Sequence, residues 1–345
     1  MVTPGGGTQE KILIVRAGRG GDLIMITPAL NALLGVFPGA EFHLLSTGDG
    51  RRIMAGYDPR LTRIFLYSRR FPRTLVLQRK LLEEFKAEGY TRIYIFETKP
   101  HYRNWLRGLA PHVHTLSGTG DDGHYCDRCL DLVEASLGAP VPRGWVTLPV
   151  SEEGRAKARA LMSASGVPGQ ALLVGLHPTF SGTGLPLFRD RQGSRHRMWP
   201  SDSFSALARL LQQRQAAFSR PLAVIIDALP EELKYVQPIV DRAAGAVTLL
   251  AAPPDFQRYK GLLSLLDVLV TPNTGPMHMA AALGTPLVAL FSDWSPADCG
   301  PYMDPARFQV LRAEDTDHPA RGLAAITPET VASAVIQLAS GAGRE

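Results

Sequence analysis

The sequence predicts an α/β protein with two halves of similar size, each a parallel sheet covered by helices on both faces. Short apolar segments alternate with segments of helical periodicity, a pattern typical of parallel strands joined by helices. The alternation stops in the Pro- and Gly-rich segment 138–149 and then starts again. A chain of 345 residues is also comfortable for two domains. We therefore expect domains at 1–145 and 146–345, with the last helix a candidate to pack back onto the first domain.

The first half begins with an apolar strand at 11–15, which leads through a Gly-rich turn into a helix. Apolar residues recur at helical spacing after Asp22, at Leu23, Ile26, Leu30 and Leu33. Pro38-Gly39 ends this helix. The remaining elements predicted in this half are strands at 42–45, 63–67 and 92–96 and helices at 75–88 and 126–137.

The second half repeats the alternation after the linker. Strands are predicted at 172–176, 222–226, 247–251, 268–270 and 286–291. Helices are predicted at 152–165, from Trp199-Pro200-Ser201 to 215, at 231–243 and 256–266, and from the capped start Thr327-Pro328-Glu329 to 339. Segment 177–198 is long, polar and Gly-rich, which predicts a loop. The expected ligand site lies in the cleft between the halves, at the carboxyl ends of the strands.

Composition narrows the possible partners. The net charge of +5, supplied mostly by Arg, suits a phosphorylated ligand, nucleic acid or an anionic membrane surface. Blocks of Lys and Arg are too short for a nucleic-acid arm. The chain has no apolar run of the ~18 residues needed to span a membrane and no signal-peptide core at its start. We expect a cytoplasmic protein that visits a membrane surface.

Three cysteines are too few for a disulfide framework. Cys126-x-x-Cys129, with His124 nearby, has the spacing of half a zinc site, but the chain has no second pair. The two thiols are equally consistent with positions in or beside a helix. We predict no metal site.

The segment 268–284 is predicted to form a strand, a tight turn and a helix of small residues. Backbone N–H groups at a helix N-terminus lack partners within the helix, and with the helix dipole they form a site for phosphate. Gly275 allows an anion to approach the backbone closely, and Pro276 suits the first turn of a helix. The alternative is an ordinary strand-to-helix turn. His278, in the first helical turn, is a candidate ligand contact or else a packed or capping residue.

Two further loops follow strands. The first runs from Arg16 to Asp22, where Asp22 either caps the next helix or acts as a functional carboxylate. The second follows the strand at 172–176, where the Thr179 hydroxyl could donate to a phosphate and Arg197 could clamp one with two hydrogen bonds. Arg195 is either part of that clamp or a solvated loop charge. Trp199 is interpreted as a buried anchor.

Taken in order, these segments resemble glycosyltransferase family 9, the bacterial heptosyltransferases of lipopolysaccharide core assembly. The matching pieces are Lys11–Arg16 with Gly20-Gly21-Asp22 and Thr27–Leu30, the segment His124–Gly138, Trp199-Pro200, Glu231 after Asp227-Ala228, Thr274–Ala281, and Thr327-Pro328-Glu329. Together they span nearly the whole chain.

The resemblance implies a GT-B fold, in which two Rossmann-like doubly wound domains face each other across a cleft. Residues 1–145 would bind the acceptor and residues 146–345 the nucleotide-sugar donor. It also implies an inverting, metal-independent transfer of heptose from ADP-heptose to a sugar hydroxyl of the lipopolysaccharide inner core. No cofactor is expected. The protein would work at the inner face of the bacterial inner membrane, with anionic lipid as a transient partner.

Site residues follow by position in the family pattern. Asp22 matches the catalytic base, and Arg16, Gly20 and Gly21 form the acceptor-side loop around it. The donor and its diphosphate would be bound by Thr179, Arg195, Arg197, Glu231, Asn273, Thr274, Gly275, Pro276, Met277 and His278.

The chain departs from the family pattern at three of these positions. Gly20 stands where an apolar residue often precedes the Gly-Asp pair. Arg197 stands where Lys is usual, and Asn273 stands where many members carry Asp. The alternatives are a transferase with another nucleotide-sugar donor or acceptor, a sugar-nucleotide epimerase on the same architecture, and a non-catalytic relative that binds a nucleotide sugar. The chain lacks the Tyr-x-x-x-Lys pair and the full dinucleotide fingerprint that an epimerase would carry.

Overall fold

The computed structural model of the protein describes residues 10–68, 73–117, 123–180 and 196–341. The chain divides into two compact units, Met1–Leu148 and Pro149–Glu345. The division falls at the end of the Pro- and Gly-rich segment 138–149, a few residues beyond the position predicted from the sequence.

The first unit is a five-stranded parallel sheet with strand order β3-β2-β1-β4-β5. Its strands are β1 Lys11–Val15, β2 Glu41–Ser46, β3 Leu61–Leu66, β4 Arg92–Ile95 and β5 His112–Thr115. Its helices are α1 Gly20–Ile24, α2 Thr27–Val36, α3 Gly48–Ile53, α4 Arg73–Glu88, α5 Pro100–Trp105 and α6 Tyr125–Leu137. The central strand β1 is buried along residues 12–15, as expected for a parallel strand covered on both faces.

The second unit is a six-stranded parallel sheet with strand order β11-β10-β9-β6-β7-β8. Its strands are β6 Leu172–Leu176, β7 Leu222–Ala228, β8 Thr248–Ala251, β9 Val268–Pro272, β10 Leu287–Phe291 and β11 Phe308–Arg312. Its α-helices among the described residues are α7 Glu152–Ala164, α8 Ser201–Gln213, α9 Leu233–Ala243, α10 Phe256–Leu263, α11 Gly275–Ala282, α12 Pro296–Cys299 and α13 Pro328–Gly341.

The two units share one topology. In each, the first strand lies between the second and the fourth, so the chain direction across the sheet reverses beside the first strand. This is the strand order of a Rossmann-like doubly wound sheet. The reversal places a crevice at the carboxyl ends of β1 and β4 in the first unit and of β6 and β9 in the second. The predicted class, α/β with two such domains, is confirmed.

Trp199 anchors the core of the second unit. Its ring is buried, packs edge-on against Phe204 with 4.9 Å between centroids, and its indole N–H donates to the carbonyl of Ile326 at 2.9 Å. Helix α13 adds Val331 and Val335 to the same core. The interpretation of Trp199 as a buried anchor is confirmed. Within its own unit α13 packs on α8 and on β9, β10 and β11, and its packing on the first domain stays a prediction.

The helix predicted to start at Asp22 is two helices, α1 and α2, joined at Met25 and Ile26. Pro28 has no N–H to donate and its ring would clash with the carbonyl four residues earlier, at Ile24. The Thr27 hydroxyl donates to that carbonyl instead, at 2.7 Å. The apolar spacing continues through the break, so the sequence pattern alone shows one helix where the structure has two.

Among the described residues, no single helix is long and apolar enough to cross a membrane. The bent pair Pro319–Ala325 and Pro328–Ser340 reaches that length and composition only when its two segments are taken together, at an angle of 53°. Leu323 and Val331, one from each segment, are buried in the core of the second unit.

Candidate active site

Arg16 is the centre of the candidate site in the first unit. It follows β1, and Glu97 lies just beyond β4, the neighbouring strand at the reversal point. The guanidinium contacts Glu97 Oε2 through Nη1 at 3.2 Å and Asp22 Oδ1 through Nη2 at 3.3 Å. Nη1 also donates to the carbonyl of Phe96 at 3.2 Å, and the ring of Tyr125 lies 4.7 Å from the guanidinium carbon. Burial lowers the pKa of Arg16, but Tyr125, Asp22 and Glu97 raise it, and the net shift is upward.

Asp22 is the third residue of α1 and not its N-cap. Its Oδ2 accepts the backbone N–H of Arg19, the N-cap residue, at 2.7 Å. A Cβ at Gly18 would collide with this carboxylate, so the turn requires glycine there. The sequence alternative in which Asp22 caps this helix is therefore wrong, because Arg19 is the N-cap. Asp22 stabilises the helix start from within the first turn and also pairs with Arg16. Its side chain remains 36% exposed, which leaves the carboxylate accessible.

Gly20 and Gly21 are the first two residues of α1. A Cβ at Gly20 would lie 2.7 Å from Cδ1 of Ile53, so α1 and α3 approach closely at this point. Gly21 is buried. Both glycines shape the loop that carries Asp22.

Glu97 was missed by the sequence analysis. Its side chain is 7% exposed, and its Oε1 accepts the backbone N–H of Ala17 at 2.8 Å. The available signal was its position directly after an apolar strand, since charged residues at that place in parallel sheets face the ligand crevice. The strand predicted from the apolar pattern ends at Phe96, one residue before Glu97.

Cys126 and Cys129 are buried in α6. Burial raises the pKa of both thiols, to about 12 for Cys129. His124 is the N-cap of this helix, and its Nδ1 accepts the N–H of Cys126 at 3.1 Å. Across the part of the chain that the structure describes, no group of at least three His, Cys, Asp or Glu residues could hold a metal ion.

In the second unit, the predicted phosphate turn lies at the carboxyl end of β9, beside β6. Thr274 is the N-cap of α11. Its hydroxyl donates to the carbonyl of Pro272 at 3.2 Å and shares a hydrogen bond with the Thr271 hydroxyl at 3.1 Å. Among the described residues beyond its chain neighbours and its own helix, no atom lies within 4 Å of a Cβ built at Gly275, so the space on that side is open. An anion can therefore approach the backbone at the start of α11.

The residues after Gly275 present little side-chain surface to a ligand. Pro276 is the second residue of α11. The side chain of Met277 is completely buried and its N–H donates to the Thr274 carbonyl at 3.1 Å. His278 is 7% exposed. The side chain of Met277 is therefore part of the core, and the turn presents backbone in preference to side chains.

Thr179 and the acidic turn after β7 form one cluster. The Thr179 hydroxyl donates to Glu232 Oε1 at 2.7 Å, and Glu232 Oε2 accepts the N–H of Leu229 at 3.0 Å. Burial lowers the pKa of His177, against the opposing effect of Glu232. Glu231, the acid singled out from the sequence, is exposed in the short turn Pro230–Glu232. Its neighbour Glu232 was missed because the two acids are adjacent in sequence.

Arg197 lies with its guanidinium carbon 5.2 Å from the centre of the Trp294 ring, a cation–π contact. Trp294 follows β10 and is 46% exposed. The amide of Asn273 donates to Sγ of Cys299 at 3.5 Å, which ties the phosphate turn to α12. Arg195 lies outside the described residues.

The comparisons with known proteins agree with this architecture. The family model described as glycosyltransferase family 9 (heptosyltransferase) matches residues 112–321, more than half of the chain. The chain has the two Rossmann-like units of a GT-B protein. The chain belongs to glycosyltransferase family 9, the heptosyltransferase family, and the predicted family is confirmed.

Individual relatives share low sequence identity with this chain. The chain is 26% identical over 106 residues to the lipopolysaccharide core heptosyltransferase OpsX of Haemophilus influenzae, a match that covers 30% of this chain and 29% of that relative. The family 9 glycosyltransferase of Veillonella parvula superposes with a TM-score of 0.78 at 18% identity, over 96% of this chain and 97% of the other. ADP-heptose lipopolysaccharide heptosyltransferase II of E. coli superposes with a TM-score of 0.72 at 19% identity, over 96% and 99%. At these identities the two superpositions establish the fold.

Proposed function

We propose that this protein is an inverting glycosyltransferase that moves a heptose from ADP-heptose to a sugar hydroxyl of the lipopolysaccharide inner core. The observation that carries the proposal is the turn Thr274-Gly275, which starts α11 at the reversal point of the second sheet and lies within the family match. Two relatives named above, a lipopolysaccharide core heptosyltransferase and an ADP-heptose heptosyltransferase, support this donor and this acceptor.

The leaving diphosphate is held by charge and by backbone dipoles. The N-terminus of α11 offers partial positive charge at Gly275, where the surrounding space is open. Arg197 supplies a full positive charge in the same unit. These groups stabilise negative charge as it develops on the diphosphate, which then departs without needing a proton. We propose that no metal and no cofactor are required.

Asp22 acts as the base in this mechanism. The acceptor hydroxyl oxygen forms a bond to the anomeric carbon while its proton passes to the Asp22 carboxylate. The bond between the anomeric carbon and the diphosphate oxygen breaks, and its electron pair leaves with the diphosphate. One displacement with one base inverts the anomeric configuration. The proton acceptor belongs to the first unit and the diphosphate groups to the second, so turnover requires both.

We further propose that the protein is cytoplasmic and works peripherally at the inner face of the bacterial inner membrane. The net charge of +5 supports attraction to anionic lipid. An inner-core acceptor is itself anchored in that membrane, which gives the same location.

A second candidate is a relative with another nucleotide-sugar donor or acceptor, or one that binds a nucleotide sugar without turnover. Asn273 favours it, because its uncharged amide donates to Cys299 and supplies no carboxylate beside the phosphate turn. A thermal-shift screen with ADP, UDP and GDP sugars separates these outcomes. Stabilisation by one nucleotide alone identifies the donor base, and binding without turnover for any acceptor favours the non-catalytic alternative.

The experiment that tests the mechanism is transfer from ADP-heptose to a core acceptor by the wild type and by Asp22→Asn, with EDTA present in one arm. Asn keeps the size of Asp but cannot take the proton, so we expect kcat to fall about 100-fold to 10,000-fold. Wild-type activity should survive EDTA. A variant that kept most of its turnover would restrict Asp22 to its role at the helix start.

A further inference from the structure

We infer that Glu97 is a positioning residue for Asp22 and that it acts through Arg16. The inference rests on the proposed role of Asp22 as the base, and it adds a residue that the family pattern did not point to. All the groups involved lie in the first unit, on the loop after β1 and at the end of β4.

Glu97 holds the loop at two places. Its Oε1 accepts the backbone N–H of Ala17 at 2.8 Å, and its Oε2 pairs with Nη1 of Arg16 at 3.2 Å. Ala17 and Arg16 are the first residues after β1. One carboxylate therefore fixes both the path of the backbone and the direction of the Arg16 side chain at the start of the loop.

Arg16 transmits this position to Asp22. Its Nη2 contacts Asp22 Oδ1 at 3.3 Å, and its Nε donates to the Asp22 carbonyl at 3.3 Å. The remaining carboxylate oxygen of Asp22 is held by the N–H of Arg19. With Glu97 in place, the Arg16 guanidinium is shared between two carboxylates. Arg16 therefore orients Asp22 while Glu97 neutralises part of the positive charge of Arg16.

The pair is costly to maintain for stability alone. The side chains of Arg16 and Glu97 are only 11% and 7% exposed, and a buried ion pair often stabilises a fold no better than apolar residues would. The aromatic and aliphatic residues around Phe85 and Ile93 already supply a core for this unit. The Arg16–Glu97 pair instead fixes the position of the loop that carries Asp22.

The test is Glu97→Gln in the transfer assay. Gln keeps an oxygen for the N–H of Ala17 but loses the charge that opposes Arg16. A small displacement of a catalytic group costs up to about 100-fold in rate, so we expect kcat to fall about 10-fold to 100-fold with the KM for the donor unchanged. The matched control is Glu88→Gln. Glu88 is a partly buried carboxylate of the same unit, paired with Lys11 at 2.8 Å, and its variant should keep kcat within about twofold of the wild type.

A double-mutant cycle separates positioning from a purely structural role. If Glu97 acts through Asp22, adding Glu97→Gln to Asp22→Asn leaves the residual single-turnover rate unchanged. An equal fold-loss in both backgrounds would overturn the inference. If Asp22→Asn itself kept full turnover, the proposed mechanism would fail first, which is a different result.

Glu97→Asp provides a variant that keeps the charge. Its carboxylate is one methylene shorter, so we expect an intermediate kcat with a midpoint of thermal unfolding close to that of the wild type. If Glu97→Gln fails to fold, the rate of Glu97→Asp decides the question: wild-type kcat in this variant would refute the inference.

Discussion

Arg197 is the residue whose contribution to donor binding can be measured most directly. Charge-assisted hydrogen bonds contribute about 1.5–3 kcal/mol each, so Arg197→Ala should weaken ADP binding at least about tenfold. Arg197→Lys keeps the charge without the planar fork and should recover part of the affinity. Isothermal titration calorimetry with ADP measures both variants.

The control for this prediction is Arg209→Ala on α8, in the same unit. The Arg209 guanidinium donates to the carbonyl of Arg242 on α9, within the helical layer. Its removal subtracts the same charge, so affinity for ADP should stay within about twofold if local contact and not net charge matters. Unchanged affinity in Arg197→Ala would remove Arg197 from the donor site.

Candidate site residues that lie within one loop could be selected from the sequence, and a residue that the sheet brings to the same place could not. Asp22 and Gly20 belong to one short segment with a recognisable pattern. Glu97 is 80 positions away from Ala17, the residue whose N–H it accepts, and only the pairing of β1 with β4 brings the two together. Glu232 was missed for a different reason. Glu231 and Glu232 are adjacent acids in one turn and differ only in the direction of their side chains, which the sequence does not show.

At the scale of elements, α7 and α10 pack through two glycines. A Cβ at Gly261 would collide with the backbone of Gly154, and a Cβ at Gly154 with the carbonyl of Gln257. Backbone atoms cannot move aside as a flexible side chain can. Gly261→Ala should therefore lower the free energy of unfolding of the second unit by about 1–3 kcal/mol, measured in urea.

Gly169→Ala is the control, because no atom of the described residues, apart from its chain neighbours, lies within 4 Å of a Cβ built at Gly169, and the position lies outside the helices. It should change stability by less than about 0.5 kcal/mol. Equal unfolding midpoints for the two variants would mean that α7 and α10 can separate without cost.

Strongly apolar strands and helices with clear periodicity were predicted closely, and short elements without such a pattern were missed. The strand predicted at 172–176 is β6, and the helices predicted at 75–88 and 126–137 begin within a few residues of α4 and α6. The structure adds α3, α5 and α12, which have six residues or fewer, and the strands β5 and β11. β5 has the sequence His-Val-His-Thr with a single apolar side chain, so it becomes a strand by pairing with β4 and not by its own pattern.

For the whole molecule, the alternation of strands and helices predicted two doubly wound sheets, and the strand order within each could not be read from the chain. The order follows from right-handed crossovers and from which helices cover which face, and these depend on packing between distant segments. The arrangement of the two units around a cleft stays a prediction.

Nucleotide binding should protect the second unit selectively. We expect ADP at about 100 times its Kd to stabilise that unit by about 2.7 kcal/mol. Amide hydrogen exchange at the end of β9 and the start of α11 should then slow more than exchange in the loop from Arg16 to Asp22. Protection centred on that loop would place the nucleotide on the wrong unit. UDP at the same concentration serves as the control ligand.

The bond between Trp199 and Ile326 also affects the order in which a nascent chain can fold. The indole N–H finds its acceptor 127 residues further along the sequence. At about 5–20 residues per second of translation, the ring waits on the order of ten seconds for that acceptor to be made. The first unit has been synthesised well before then. We therefore expect the second unit to complete the core around Trp199 only after this interval, once Ile326 has been made.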